Sequence, residues 1–143
     1  MSLYLRFADP GDLPAILALD PLAQRPESGR EAFIHHAIFA KSCWLAVLDE
    51  AAAGYGVLDY SFYKCGFISL VYVHSDYRRR GVGAALLAGL EKVCQTPKLF
   101  TSTNASNLPM QALLARQGFV QSGIIHHLDE GDPEIVYFKR LVI

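Results

Sequence analysis

Between residues 43 and 73 the chain passes through three strand-like segments with almost nothing between them. Residues 43–48, 55–63 and 67–73 are rich in aromatic and β-branched side chains, and Asp49-Glu50 and Lys64-Cys65-Gly66 form the breaks. Connections this short join antiparallel neighbours in hairpins or a meander. They leave no room for crossover helices, so a doubly wound parallel sheet is excluded.

Helical patterns flank this block. Residues 3–7 read as a short first strand. Asp9-Pro10-Gly11-Asp12 then supplies a cap, a proline at the first helical position and an acid in the first turn. Leu13, Ile16 and Leu17 follow at helical spacing until Pro21. Ser28-Gly29-Arg30-Glu31 has the form of a capping box, with Phe33, Ile34, Ala37 and Ile38 on one face behind it. Downstream, residues 82–95 predict a helix closed by Pro97, and residues 99–103 a strand. Asn107 caps a further helix carrying Met110, Leu113 and Leu114, with Gly118 as its stop. Two strands, about 119–128 and 134–142, end the chain. The expected order is β-α-α-β-β-β-α-β-α-β-β, an α/β (α+β-like) fold with helices covering a mixed sheet.

A length of 143 residues, 52% of them hydrophobic, suits a single domain over residues 1–143 with an ample core. Thirteen basic against fourteen acidic residues give a net charge of -1, so no global basic field points to nucleic acid. No apolar run approaches the ~18–20 residues of a membrane helix. Arg6, Asp9 and Asp12 break up the opening segment too early for a signal peptide. Cys43, Cys65 and Cys94 are odd in number and form no C-x-x-C pair, which implies neither a disulfide framework nor a metal site. A reduced, cytoplasmic, soluble protein is the expectation.

Chemistry concentrates where the third of the clustered strands ends. Val71-Tyr72-Val73 gives way to a polar loop, then Arg78-Arg79-Arg80-Gly81-Val82-Gly83-Ala84 opens an amphipathic helix. Free N–H groups and the positive end of the macrodipole make such a helix start an anion site. Gly81 and Gly83 would let a phosphate approach the main chain, and the arginines could add charge-assisted hydrogen bonds. No Gly-Lys-Ser/Thr ending is present, so this is not a P-loop. Leu86 stands where a dinucleotide fold needs its third glycine. The plainer reading is a solvated arginine turn in which the glycines only shape the loop.

Arg78-x-x-Gly81-x-Gly83-Ala84 after an apolar strand resembles the cofactor motif of the GNAT superfamily of acetyl-CoA-dependent N-acetyltransferases. The resemblance extends over almost the whole chain. Leu5-Arg6-Phe7-Ala8 with Asp12-Leu13 and Ile16 is similar to that family's first strand and helix. Asn104-Ala105-Ser106-Asn107 through Gln117-Gly118-Phe119 is similar to its second cofactor segment. It implies that the backbone of Val71, Tyr72 and Val73 aligns the pantetheine arm of acetyl-CoA. It also implies that the loop from Arg78 to Ala84 cradles the pyrophosphate, while Asn107 bonds the arm from the other side.

Acetyl transfer to an amine needs a neutral nucleophile, a stabilised oxyanion and a protonated leaving thiol. A lysine-like amine, with a pKa of about 10.4, costs about 4.6 kcal/mol to present neutral at pH 7. Here the sequence departs from the family. Leu114 occupies the position, seven after the helix-opening asparagine, where many relatives place a tyrosine as general acid. Ser102 stands where some carry a glutamate, and no carboxylate lies within 67–73 or 99–103. Tyr72, His74, His126, His127 and Tyr137 remain as substitutes. Tyr72 reads as core, and His126 and His127, adjacent on an expected strand, would face opposite sides. His35 and His36 lack metal spacing. No catalytic residue is assigned.

The acidic stretch Asp129-Glu130-Gly131-Asp132-Pro133-Glu134 suits a solvated hairpin turn better than a device for steering cationic acceptors. The expected activity is acetyl transfer from acetyl-CoA, without a metal, to an amine of a small molecule or protein by direct attack in a ternary complex. The alternative is a sensor of the same fold that binds acetyl-CoA without turnover. A small nucleotide-binding regulator is a third reading. Edge strands and apolar composition are compatible with a homodimer.

Overall fold

The computed structural model describes residues 2–142. The strands are β1 (Leu3–Phe7), β2 (Cys43–Leu48), β3 (Ala51–Phe62), β4 (Cys65–Val73), β5 (Lys98–Asn104), β6 (Val120–Ile125) and β7 (Glu134–Arg140). Helices α1 (Leu13–Leu19), α2 (Arg30–Phe39), α3 (Val82–Val93) and α4 (Leu108–Arg116) connect them in the order the sequence implies. The strands form one sheet in the order β1-β2-β3-β4-β5-β7-β6. Every neighbouring pair is antiparallel except β4 and β5, which run parallel through the crossover helix α3.

The tight connections in the meander are two-residue turns. Asp49 and Glu50 have φ of 47° and 69°, and Tyr63 and Lys64 have φ of 54° and 63°. Two successive left-handed residues match the twist of a hairpin, a geometry usually spelled by Asn-Gly. Without that signature the sequence places the strand starts late: β3 begins at Ala51 rather than Tyr55, and β4 at Cys65 rather than Phe67. Gly54 and Gly56, which weaken the strand pattern there, let β4 and α3 approach closely. A Cβ on Gly54 would stand 2.6 Å from the Tyr72 carbonyl oxygen, and one on Gly56 would stand 2.9 Å from Leu90 Cδ1 on α3.

Helices cover both faces of the sheet, which is why β2 is buried almost without alternation. Ile16, Leu19, Ile34, Ala37 and Ile38 pack from α1 and α2 on Leu45, Val47, Tyr55 and Val57. On the other face Val82 and Leu86 of α3 meet Ala46, Leu48 and Ala53, while Leu114 of α4 joins Leu99, Ile135 and Tyr137. Phe33, expected on the buried stripe of α2, is 40% exposed. The capping box at Ser28 also does not form. Gly29, left-handed at φ 71°, is the N-cap. Ser28 Oγ donates to the carbonyls of Leu22 and Arg25 and accepts only from Arg30 N–H (3.1 Å). The preceding 3-10 turn has drawn the hydroxyl away from the N3 position.

The Asp9 cap does form, reciprocally with Asp12. Asp12 also receives a two-pronged bond from Arg6 of β1, at 2.8 and 2.9 Å, tying the first strand to the first helix. Chiefly through the Arg6 hydrogen bonds, and secondarily the Asp9 N–H, the Asp12 carboxyl is held below the usual carboxylate range. A depressed folded pKa means that the unfolded chain takes up the proton first as pH falls. The pair's contribution is therefore complete above about pH 4 and is lost below it. Because Arg6 is partly exposed, that contribution is about 1 kcal/mol. Urea melts of Asp12→Asn and wild type should differ by this amount at pH 6 and draw together as the pH is lowered below about 4.

Candidate cofactor cleft

The parallel pairing of β4 with β5 lasts three rungs, Gly66 with Leu99, Phe67 with Phe100 and Ile68 with Thr101. Thr101 Oγ donates to the Ile68 carbonyl (2.7 Å) at the last of them. Beyond it β5 stays with β7 and β4 stays with β3, so the two strands part and a cleft opens. A β-bulge marks the point of departure. Val57 pairs with Leu70 and Leu58 with Ile68, leaving Ser69 as the extra residue. The bulge resets the alternation of β4. Ile68 belongs to the cluster beneath α3 and α4, Leu70 and Tyr72 turn to the α1–α2 side, and Val71 and Val73 pack towards α3.

The main-chain groups of β4 follow from the ladder. His74 N–H donates to the Ala53 carbonyl (3.0 Å). Antiparallel alternation then directs the peptide groups of Tyr72 towards β3 and those of Val71 and Val73 into the opening. The Val73 carbonyl already has a partner there, Arg78 Nε at 3.1 Å.

At the top of β4 the loop curls into α3. Arg79 (φ 63°) and Gly81 (φ 80°) are both left-handed, one on each side of Arg80. Nothing lies within 4 Å of a Cβ built on Gly81, so its conformation, not space, requires glycine there. Gly81 caps α3 without a side-chain bond, so the N–H groups of the first turn point outward unclaimed by a capping side chain. Gly83 has a packing role as well: a Cβ there would stand 3.1 Å from Leu113 Cδ2 of α4, so the glycine lets the two helices approach closely. Val82 is buried and anchors the turn. Arg78 and Arg80 lie over the rings of Tyr72 and Tyr77, at 5.8 and 5.9 Å. All three arginines are exposed.

The Gly83–Leu113 contact sets the start of α3 beside α4, whose N-cap is Asn107. Its Oδ1 accepts from Met110 N–H (3.2 Å), which leaves the amide NH₂ on the exposed side. Leu114 is fully buried (0% exposed) in the cluster with Leu99 and Tyr137, so that position carries no proton donor.

The other proton-shuttle candidates are dispersed. Tyr72 is packed against Tyr55, with ring centroids 6.2 Å apart. Tyr137 is buried on the α4 side. His74 Nδ1 accepts from Asp76 N–H (3.1 Å) and serves as a cap. His126 and His127 are not on a strand, because β6 ends at Ile125 and His127 turns left-handed at φ 76°. Both are exposed beside the acidic loop. His35 and His36 are exposed on α2, and no metal-binding group occurs among the described residues. No helix there is long and apolar enough to cross a membrane.

The acidic loop is a tied turn. Asp132 accepts from Ser106 N–H and Oγ (3.0 and 2.6 Å), and Asn104 Nδ2 donates to Asp129 (2.8 Å). One bond was invisible in sequence: Ser102 Oγ donates to Glu134 Oε2 at 2.7 Å. These residues are 32 positions apart, and only the pairing of β5 with β7 unites them.

Comparison with known proteins bears on this geometry. The Acetyltransferase (GNAT) family matches residues 12–119. A GNAT-family acetyltransferase structure from Bacillus cereus is 34% identical over 100% of both chains, with a TM-score of 0.92. The ribosomal-protein-alanine N-acetyltransferase of Brucella melitensis shares the fold at 22% identity and a TM-score of 0.77, covering 96% of this chain and 99% of that one. A Bacillus anthracis structure described as a streptothricin acetyltransferase in complex with acetyl coenzyme A superposes with a TM-score of 0.64 at 21% identity, covering 69% of this chain and 61% of that one. No curated protein matches the sequence. With three quarters of its length matched by the family, and a full-length relative 34% identical that shares its fold, the chain belongs to the GNAT family of acetyltransferases.

Proposed function

We propose that residues 1–143 work as one N-acetyltransferase domain, moving the acetyl group of acetyl-CoA to a primary amine by direct attack in a ternary complex. The observation that carries this reading is the cleft between β4 and β5, which ends at the start of α3, where no side chain caps the first-turn N–H groups. A pantetheine arm resembles an extended peptide, and the outward peptide groups of Val71 and Val73 suit it as a missing strand would. Their N–H donors are also suited to a thioester carbonyl that becomes an oxyanion. Tyr72 contributes by packing under Arg78 and holding the end of the strand.

The pyrophosphate has its natural place on the N–H groups of Arg79 to Ala84, with the exposed arginines supplying charge. Asn107 offers its outward NH₂ to the cofactor arm. A covalent acetyl-enzyme finds no support in the cysteines. Cys43 and Cys94 are buried, Cys65 lies at the first position of β4 away from the opening at Val71 to Val73, and burial pushes the Cys43 thiol up to about 12, far from thiolate at neutral pH.

Thermal unfolding with saturating acetyl-CoA, CoA, ATP and NAD in parallel tests the cofactor. Ligand at a hundred times Kd adds about 2.7 kcal/mol, a rise in Tm of roughly 5–15 °C for a chain of this size. The rise should come with acetyl-CoA and CoA only, and primary amines should then release CoA thiol from acetyl-CoA. Equal shifts with ATP or NAD would overturn the cofactor assignment. Binding without thiol release would favour the sensor reading, which the buried Leu114 supports.

A further inference from the structure

We propose that Glu134, held in place by Ser102, is the carboxylate that receives the acceptor amine and carries its proton away; the inference rests on the acetyltransferase reading above. Neither strand bounding the cleft contributes a carboxylate of its own within residues 67–73 or 99–103. The third strand along does. Glu134 opens β7 opposite Asn104, and its side chain leans diagonally over β5 to reach Ser102. Ser102 is the first residue of β5 past the last shared rung, so the carboxylate sits at the rim of the cleft where the strands separate.

The face matters as much as the position. Leu99 on β5, with Ile135 and Tyr137 on β7, faces α4. Strand alternation puts Ser102 and Glu134 on the opposite side, away from the α3 start that would cradle the phosphates. The two substrates then approach the cleft from opposite faces. Both residues are half-buried, reachable from solvent yet not free in it.

The neighbouring carboxylates are engaged or exposed. Asp132 is consumed by Ser106, Asp129 receives Asn104, and Glu130 is exposed at the turn. The only bond that Glu134 makes through its side chain among the described residues is the one to Ser102 through Oε2. Oε1 remains for a cation.

The facing wall supplies an independent sign of a ligand. Ser69, the bulge residue, is the one that the parallel register would place beside Ser102. Its Oγ is buried without a hydrogen-bond partner. Orphaned buried hydroxyls are uncommon, and one at the apex of a cleft has a reacting group as its natural partner.

The step balances as follows. An alkylammonium acceptor donates to Glu134 Oε1, and one N–H proton passes through the carboxylate to water at the open rim. The neutral nitrogen attacks the thioester carbonyl carbon, forming the C–N bond. The C–S bond breaks, and the second N–H proton ends on the departing sulfur as CoA thiol. One proton reaches solvent per turnover. Ser102 acts as a positioning residue, fixing the carboxylate over β5.

The test measures CoA thiol release from acetyl-CoA with spermidine, a lysine peptide and a peptide with a free N terminus. Glu134→Gln should lower kcat/KM for the amine about 100-fold or more. Ser102→Ala should lower it about 10-fold, as for a lost hydrogen bond to a charged group, and Ser102→Thr should restore most of it. In all three variants the acetyl-CoA-induced rise in Tm should match wild type. Wild-type turnover by Glu134→Gln would overturn the proposal, and so would equal losses in Ser102→Ala and Ser102→Thr. A wild type that binds acetyl-CoA but releases no thiol also overturns it, with cofactor binding intact. Absence of any acetyl-CoA shift instead defeats the acetyltransferase reading itself.

Discussion

Replacing Asp20 with alanine should lower the unfolding free energy by about 3 kcal/mol, the largest loss expected from any single carboxylate here. Asp20 is 1% exposed. It accepts from Arg30 Nη1 at 2.7 Å, from the Tyr55 hydroxyl at 2.5 Å and from Leu22 N–H at 3.0 Å. Removing the carboxylate strands a guanidinium that is only 22% exposed and a tyrosine with no exposure at all. Unpaired buried groups cost more than the pair contributes, which is why truncating one partner is so damaging. Burial and the neighbouring Asp20 already push the Tyr55 hydroxyl well above its ordinary range, so it stays a donor at any working pH.

The bonds join the α1–α2 segment to β3, the strand against which β4 is laid. Thermal unfolding should show a drop in Tm of roughly 10 °C for Asp20→Ala. Tyr55→Phe alone should cost about 1 kcal/mol, and less in the Asp20→Ala background, where the hydroxyl has already lost its acceptor. Additive losses would mean that the three groups do not act as one network.

Gly54→Val should be about as damaging, and should also weaken acetyl-CoA binding. Gly54 pairs with Val73, and an added Cβ would lie 2.6 Å from the Tyr72 carbonyl oxygen and 3.3 Å from both Leu86 Cδ1 and Val73 Cα. The first of these is main chain and cannot rotate away. Relief must come from moving β4 or α3, so the cost belongs at the top of the overpacking range, about 3 kcal/mol. Both elements frame the cleft. Thermal melts should show the loss in the free protein and a smaller shift on adding acetyl-CoA. A full acetyl-CoA shift would mean that the β4 end can yield without disturbing the cofactor site.

The element order was legible from residues alone, as was the loop proposed here for the cofactor, because the signals are local. Apolar spacing at 82–93 and 43–48 reports the faces that a helix or strand must bury, and a glycine-punctuated arginine run before a helix reports free N–H groups. Local signals failed where a neighbour decided the outcome. Ala53 and Gly54 look like poor strand formers until Leu86 of α3 is seen packed on them. That Gly83 also lets Leu113 of α4 pack against α3 could not be read from its neighbours in sequence. Ser28 promised a capping box, but the turn before it took the hydroxyl first.

The missing catalytic carboxylate shows the same division. Residues 67–73 and 99–103 contain none, and the sequence could report no more than that vacancy. Which distant acid would lean over Ser102 depends on β7 entering the sheet beside β5, a choice made by strand pairing. By itself the sequence determined the fold, the family and the glycine-led start of α3, since each depends on residues a few positions apart. Only the tertiary structure decided the bulge at Ser69, the Asp20–Arg30–Tyr55 network and the Ser102–Glu134 pair. Those contacts span 10 to 35 residues, and chain geometry, not local propensity, sets them.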